Sequence, residues 1–233
     1  MKRIIGLSTG VLFRSMASTS QRIIDIQKAL GNGAIELGCV RKQRMFALLD
    51  LDAQDIRSHF GHLSLHAPTD LKYRADEETK QILKLIETAH RRFQFDLVVF
   101  HPESVEDWSV FDNLSFPIGM ENADWEKDFG RTVEDMAKVF ERNDFGFVLD
   151  VNHCFSNDRT MELARAFVTQ FSDRLCEVHL SGFTAYHEPI SVTGQEEIMR
   201  SVPAGNYPII IESVCLDENE VRQELSYVTS YFN

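Results

Sequence analysis

The stretch Asp96-Leu97-Val98-Val99-Phe100-His101 is a short apolar run that starts at an acidic residue and ends at a histidine. Its apolar residues are continuous and do not alternate with polar ones, which is typical of a parallel strand covered on both faces. The preceding residues, 76–93, place apolar side chains three and four positions apart, which is the spacing of an amphipathic helix. A helix that leads into a buried strand is the repeating unit of α/β folds.

The same combination recurs along the chain. Short apolar or β-branched runs bounded by turn residues predict eight strands: Arg3–Leu7, Ala34–Leu37, His62–His66, Asp96–Phe100, Pro117–Glu121, Gly146–Asp150, Cys176–Leu180 and Tyr207–Glu212. Helical spacing returns in residues 133–140 and 221–232, and Gly31 is placed to end a first helix with Thr19 and Ser20 as cap candidates. The stretches after the fourth, fifth and seventh strands have weaker patterns and predict short or irregular helices.

The number of units decides the fold class. Eight strand-helix units in 233 residues leave about 29 residues for each, near the short end of the range for a closed (β/α)8 barrel. No linker rich in proline, glycine or serine divides the chain. We therefore predict an α/β protein with one single-domain (β/α)8 TIM barrel over residues 1–233, and an open doubly wound sheet is the alternative.

Composition limits the partners. The 24 Lys and Arg residues face 36 Asp and Glu residues, and the formal charge of -12 argues against a surface devoted to nucleic acid, although it allows a local basic patch. No apolar stretch approaches the roughly 18 residues of a membrane-spanning helix, so we expect no membrane association. The four cysteines form no CxxC pair, which favours a reducing cytoplasm over a disulfide framework.

Ligand-type residues close six consecutive predicted strands. They are His66, His101, Glu121, Asp150 with His153 three residues later, His179 and Glu212. Taken singly, each could be a structural histidine or a helix cap. Together, at the catalytic face of a barrel, they would crowd carboxylates that cannot all stay ionised without a cation. The pattern predicts a divalent metal site, with zinc the best match to mixed imidazole and carboxylate ligands and manganese, iron or cobalt as alternatives.

Basic residues are expected beside this face. The loops after the second and third strands contain Arg41, Lys42, Arg44 and Lys72. They are either ordinary solvated side chains or the binding site for a phosphate-bearing substrate. Glu36, which closes the second strand, could contact a substrate hydroxyl or form a structural ion pair. We expect His62, at the start of a strand, to be a surface or core residue.

Six strand-end phrases resemble a known family. They are Ser64-Leu65-His66-Ala67-Pro68, Val99-Phe100-His101-Pro102, Gly119-Met120-Glu121-Asn122, Asp150-Val151-Asn152-His153, Val178-His179-Leu180-Ser181 and Ile211-Glu212-Ser213. In this order they resemble the strand ends of the xylose isomerase-like TIM barrels, also called AP endonuclease family 2. That superfamily contains endonuclease IV and many sugar isomerases and epimerases. The resemblance covers essentially the whole chain.

The resemblance implies a ligand set of one to three metal ions. By position, Glu121, Asp150, His179 and Glu212 match a four-ligand site shared by both branches of the superfamily. His66 and His101, with Glu121 as a bridge, match an additional site of the endonuclease branch. His153 and His187 match ligands of a third metal in that branch. The chain has Ala185 where the third site is expected to have an aspartate.

Three functions stay open at this point. With two or three metals, the expected reaction is phosphoester hydrolysis of a small phosphorylated substrate; damaged DNA is possible but is not supported by the net charge. With one metal, we expect sugar isomerisation or epimerisation, with Glu121 and Glu212 as general base and acid and His153 stabilising an oxyanion. The third alternative is a barrel that binds metal without catalysis.

Overall fold

The computed structural model describes residues 3–141 and 143–233. Within them, eight parallel strands form a closed barrel in chain order. The strands are β1 Ile5–Ser8, β2 Ala34–Gly38, β3 His62–His66, β4 Leu97–Phe100, β5 Ile118–Glu121, β6 Gly146–Asp150, β7 Leu175–Leu180 and β8 Ile209–Ile211. Because β8 pairs with β1 through Gly6 and Ile210, the sheet has no free edge, and the predicted (β/α)8 barrel is confirmed over the open sheet.

Helices follow the strands along the chain. They are α1 Gln21–Leu30, α2 Arg44–Leu48, α3 Ala53–His59, α4 Glu77–Phe93, α5 Val133–Phe140, α6 Val151–Asn157, α7 Glu162–Phe171, α8 Ile190–Thr193, α9 Glu196–Ser201 and α10 Glu218–Phe232. The weak pattern after the fourth strand corresponds to two 3-10 turns, Pro102–Ser104 and Trp108–Phe111, and that after the seventh to the short helices α8 and α9. In the described part of the chain, no helix has the length and apolar character needed to cross a bilayer.

Helix α4 shows how local sequence sets these elements. Its N-cap, Asp76, accepts a hydrogen bond from the backbone N–H of Thr79, and its buried face includes Ile82, Ile86 and Phe93. Its C-cap, Gln94, follows the last helical residue, has φ of 54° and donates its N–H to the His90 carbonyl. Capping and burial of one face fix both ends and the orientation of the helix against the barrel.

Several predicted boundaries are wrong by a few residues. The first strand is Ile5–Ser8 and not Arg3–Leu7, and the last is Ile209–Ile211 and not Tyr207–Glu212. Apolar composition marks a buried segment, but the ladder extends only where a neighbouring strand provides partners. Ser20 occupies the N-cap position of α1 without a side-chain hydrogen bond, whereas Gly31 ends the helix in the left-handed conformation, as predicted.

The barrel interior is part apolar and part polar. Leu97, Val99 and Val148 form a small apolar cluster separate from the main core between strands and helices. Gly119 leaves the space for it, because a Cβ there would approach Val148 to 2.9 Å and Leu97 to 3.0 Å. Other interior positions hold polar side chains: Glu36, Ser64 and Glu177 are all fully buried. Charged side chains in a barrel core need a specific reason.

The close approach of β1 and β2 gives a stability prediction. A Cβ on Gly6 would lie 2.0 Å from the Ala34 carbonyl oxygen, so Gly6→Ala forces the two backbones apart and should destabilise the protein by about 2 kcal/mol or more. Urea unfolding followed by circular dichroism measures this loss. The matched control is Gly33→Ala, whose Cβ would meet only a methyl carbon at 3.5 Å. Equal stability of the two variants would contradict the close approach.

Candidate metal site

The carboxyl ends of strands β3 to β8 bring the predicted ligands into two clusters that share one residue. His66, His101 and Glu121 form the two-histidine cluster. Glu121, Asp150, His179 and Glu212 form the four-residue cluster. In each cluster the potential ligand atoms all lie within 4.8 Å of one another. Residues from distant parts of the chain therefore meet at one mouth of the barrel, as the strand-end pattern predicts.

In the two-histidine cluster, both rings direct Nε2 toward the same carboxylate oxygen. The Oε2 atom of Glu121 lies 3.1 Å from His101 Nε2 and 3.4 Å from His66 Nε2. The two Nε2 atoms are 3.1 Å apart. Each Nδ1 has a hydrogen-bond partner on the side of the ring away from Glu121. This partner is the Ala67 carbonyl at 3.0 Å for His66 and Glu103 Oε1 at 3.1 Å for His101. When Nδ1 holds the proton, the Nε2 lone pair is available to a cation.

The four-residue cluster uses the other oxygen of Glu121. Glu121 Oε1 lies 3.4 Å from His179 Nδ1, which is also 3.5 Å from Glu212 Oε2. Asp150 caps α6, since its Oδ1 accepts the His153 N–H at 2.7 Å, but its Oδ2 is left over. The capping role and the ligand role considered for Asp150 are thus compatible, one for each oxygen.

The residues fit a divalent cation. Both carboxylate oxygens of Glu121, Asp150 Oδ2 and His179 Nδ1 are buried and have no hydrogen-bond partner among the described residues. A buried polar atom without a partner costs about 1–3 kcal/mol, so four such atoms in one place fit a site that binds a cation. Oxygen and imidazole nitrogen donors are those that zinc and related divalent ions accept. Such an ion would give each of these four atoms a bonding partner.

The clusters perturb one another's protonation. Burial lowers the pKa of His179, but Glu212 and Glu121 outweigh it and raise that pKa well above its usual value. Burial raises the pKa of Glu121, but His179 and His101 outweigh it and hold the pKa well below the ordinary range. Burial raises the pKa of Asp150 to about 7 against the opposing effect of His153. Without a cation the site holds extra protons, so metal uptake should release them and should weaken as the pH falls.

Partners of the ligands were not anticipated from the sequence. Glu103 bonds His101, Glu177 Oε1 lies 3.0 Å from His179 Nε2, and the Asn122 side-chain oxygen accepts the Asp150 N–H at 2.8 Å. A signal was available for Glu177: it precedes His179 by two residues in a strand, so both point to the same side, and a charge there is out of place in an apolar core.

The third group of predicted ligands is present but incomplete. His153 Nε2 lies 3.7 Å from Asp150 Oδ2, and the His153 and His187 rings are 5.5 Å apart. His187 Nδ1 lies 2.9 Å from the Ser181 hydroxyl oxygen. Burial lowers the pKa of His187 to about 4, so the ring is neutral. Within the described residues, His153 and His187 belong to no group of three or more ligands, and Ala185 supplies no carboxylate beside them.

The predicted substrate residues fall into three groups. Arg41 and Arg44 are exposed, and within residues 3–141 and 143–233 their side chains form no ion pair. Lys42 Nζ pairs with Glu78 at 2.5 Å, and Lys72 Nζ donates to the Glu103 carbonyl at 2.8 Å. Glu36 is fully buried, with Oε2 3.4 Å from His179 Nε2, so it lies beneath the four-residue cluster and not in the mouth loops.

Several solved structures have a similar fold. No protein-family model matches the chain, and no curated protein matches its sequence. Endonuclease IV from Thermus thermophilus is similar, with 14% identity, 97% of this chain and 98% of that chain covered, and a TM-score of 0.70. A xylose isomerase domain containing protein from Salmonella typhimurium has 11% identity, 100% and 98% coverage and a TM-score of 0.69.

A sugar enzyme is similar as well. D-psicose 3-epimerase from Clostridium cellulolyticum, solved with D-tagatose, has 12% identity, 99% of this chain and 98% of that chain covered, and a TM-score of 0.65. The chain thus shares the closed (β/α)8 barrel fold of these structures over its described length. Sequence identities this low show the fold and do not choose between the activities found on it.

The shared position of Glu121 predicts how metal binding responds to substitution. Glu121→Gln should weaken every metal equivalent, because each cluster loses a charged oxygen, whereas His66→Ala should remove one equivalent and spare the other. Metal content after equilibration with zinc, measured by plasma mass spectrometry, distinguishes the two results. His59→Ala, outside the site, is the control. Loss of only one equivalent in Glu121→Gln would show that the carboxylate does not serve both clusters.

The carboxylate of Glu188 holds the loop that contains His187. Burial raises the pKa of Glu188, but N–H donors from Thr184 and Tyr186 outweigh it and lower that pKa to about 2. The ionised form therefore stabilises the loop above the unfolded pKa of about 4.3, and the stabilisation is lost as pH falls toward 2.

Glu188→Gln should accordingly accelerate amide hydrogen exchange at Thr184, Ala185 and Tyr186, whose N–H groups point at this carboxylate. Hydrogen-deuterium exchange at neutral pH measures the effect, with the exposed Glu196→Gln as a matched control. Unchanged exchange at all three amides would show that the loop is held by other contacts.

Proposed function

We propose that this protein is a divalent-metal-dependent phosphoester hydrolase with a two-metal site. One observation carries the proposal: the buried Glu121 carboxylate directs Oε2 to His66 and His101 and Oε1 to His179, and neither oxygen has a hydrogen-bond donor among the described residues. A carboxylate shared in this way is suited to bridge two cations. The resemblance in fold to endonuclease IV supports the same reaction class.

The ligand residues would divide between two cations. His66 and His101 would hold one cation, Asp150, His179 and Glu212 the other, and Glu121 both. Divalent ions at these positions would acidify an attacking water and neutralise charge that develops on phosphoryl oxygens. His153, whose Nδ1 bonds the Asn122 carbonyl at 2.8 Å, leaves its other ring nitrogen free to bond a substrate oxygen or to join His187 around a third ion. We propose zinc, because it accepts the mixed set of imidazole and carboxylate donors that these clusters offer.

The substrate we propose is a small phosphorylated molecule. Arg41 and Arg44 are exposed guanidinium groups without an ion-pair partner in the described chain, and such groups bind phosphate oxygens well. Damaged DNA is a less favoured substrate, since the chain has a formal charge of -12. We place the activity in the cytoplasm on the basis of cysteine usage.

A sugar isomerase or epimerase is the second candidate. The four-residue cluster is complete by itself, and Glu121 and Glu212 flank His179, where one could remove and the other return a proton. The fold similarity to D-psicose 3-epimerase supports this alternative. It leaves the buried ring of His101 without a role. A barrel that binds metal without turnover is the third outcome.

One variant separates the two reactions. His101→Ala should lower hydrolysis of bis(p-nitrophenyl) phosphate or of a small phosphomonoester by about 100-fold or more, because one cation of the pair loses a ligand. The same variant should leave ketose epimerisation within a few-fold of wild type, whereas Glu121→Gln abolishes either reaction. Both assays are run on zinc- and manganese-loaded protein, alongside nicking of abasic DNA, with His59→Ala as the control.

The results decide the proposal. Hydrolysis by wild type that His101→Ala abolishes supports the two-metal hydrolase. Sugar turnover that survives His101→Ala overturns it in favour of the one-metal enzyme. Full metal uptake without turnover of any of these substrates favours the non-catalytic barrel.

A further inference from the structure

A line of polar side chains passes through the barrel interior below the four-residue cluster. His62 lies at the amino-terminal end of β3, and its Nε2 is 2.5 Å from Glu177 Oε2 on β7. Glu177 Oε1 is 3.0 Å from His179 Nε2. At the outer end, His62 Nδ1 lies 3.8 Å from Asp96 Oδ2, which Arg57 holds at 2.6 Å. The line therefore runs from one mouth of the barrel to the metal ligands at the other.

Glu177 is unfavourable for folding in this position. It is fully buried, on the inner side of a strand where an apolar residue would pack, and a buried carboxylate opposes folding unless it is fully hydrogen-bonded. Here each oxygen has one imidazole partner. Replacing such buried polar pairs with apolar residues is often neutral or stabilising in other proteins. Stability alone therefore gives no reason for Glu177, and its contact with His179 does.

The contact decides which nitrogen of His179 faces the cluster. Because the carboxylate accepts a hydrogen bond from Nε2–H, the ring is held with Nδ1 toward Glu121 and Glu212. Nδ1 is buried and has no hydrogen-bond partner in the described chain. A carboxylate on the far nitrogen also makes an imidazole a better donor to a metal. The same arrangement holds His101, whose Nδ1 bonds Glu103.

We propose that Glu177 is a positioning residue for the metal ion of the four-residue cluster, and that His62 holds it in place from the opposite mouth of the barrel. Glu177 fixes the orientation of the His179 ring, keeps the proton on Nε2 and leaves Nδ1 free to bind the cation. The inference rests on metal binding by this cluster, which is part of the proposed function, but not on the reaction.

A competing arrangement uses the same atoms. Glu36, Glu177 and His179 also bring ligand atoms within 4.8 Å, and both oxygens of Glu36 lack hydrogen-bond partners among the described residues. A cation among these three would need the Nε2 lone pair of His179 and would displace the hydrogen bond to Glu177. Glu177 would then be a ligand, and the protein would bind an additional ion. The two arrangements place the proton of His179 on different nitrogens.

Metal affinity gives the first test. Cobalt titration of wild type and variants, followed by the visible absorption of the bound ion, resolves the equivalents. Glu177→Gln should weaken binding at the four-residue cluster by about 10- to 100-fold and leave the equivalent at His66 and His101 unchanged. Glu103→Gln is the matched control: it should weaken the equivalent at His66 and His101 and leave binding at the four-residue cluster unchanged. His62→Gln should have a smaller effect in the direction of Glu177→Gln.

Urea unfolding of the metal-free variants accompanies the titration. If Glu177 only supported the fold, Glu177→Gln would lose stability and weaken both equivalents alike, which would overturn the proposal. Loss of one full equivalent in both Glu177→Gln and Glu36→Gln would overturn it as well, in favour of the additional ion.

The wild-type protein supplies a test that needs no variant. In zinc-loaded protein labelled with 15N-histidine, long-range proton–nitrogen spectra report which nitrogen of His179 bears hydrogen. We expect a proton on Nε2 and metal on Nδ1, and the reverse would overturn the proposal. Failure of wild type to bind any ion overturns both this proposal and the proposed function. If the wild type binds metal and Glu177→Gln binds it equally tightly at the four-residue cluster, this proposal alone is overturned.

Discussion

The structure around the barrel mouth depends on one buried carboxylate among imidazole rings. Ring nitrogens of His66, His101, His153 and His179 lie 3.1–3.4 Å from the oxygens of Glu121. One carboxylate cannot neutralise four protonated rings, and a neutral ring whose single proton is held by another acceptor cannot donate to it. A cation on either side of Glu121 would resolve the conflict for His66, His101 and His179, since each of these rings could offer a lone pair while its other nitrogen keeps a proton bound to the surrounding protein.

The closed barrel makes this arrangement possible. Parallel strands that close on themselves direct their carboxyl ends to one mouth, so ligands from six strands converge without a long loop to position them. Beneath β4 to β6, Leu97, Val99 and Val148 fill the interior with apolar contacts. Part of the remaining interior is given to Glu36 and Glu177, which face His179. The site residues at the mouth therefore lie above an interior that is apolar on one side and polar on the other.

The strand-end residues that meet at the barrel mouth could be predicted from the sequence, but the contacts of the residues behind them could not. Strand-end residues such as Asp150 and His179 follow from continuous apolar runs and the rule that barrel strands converge. The contact between His62 and Glu177 joins residues 115 positions apart across the barrel, and no spacing encodes it. For that reason His62 was expected to be an ordinary surface or core residue. The strand ends at Ile5 and Ile211 were missed because pairing, not composition, sets them.

The two chemistries that we propose differ by few residues at the site. The four-residue cluster alone would serve an enzyme that moves protons on a sugar. The two-histidine cluster adds only His66 and His101 to a carboxylate that is already present. Both added rings are held by partners on Nδ1, so they do not depend on substrate to reach their positions. Both rings direct Nε2 at the carboxylate that the two clusters share, and a one-metal reaction would not use either ring. These two rings are the physical argument for the two-metal hydrolase that we propose.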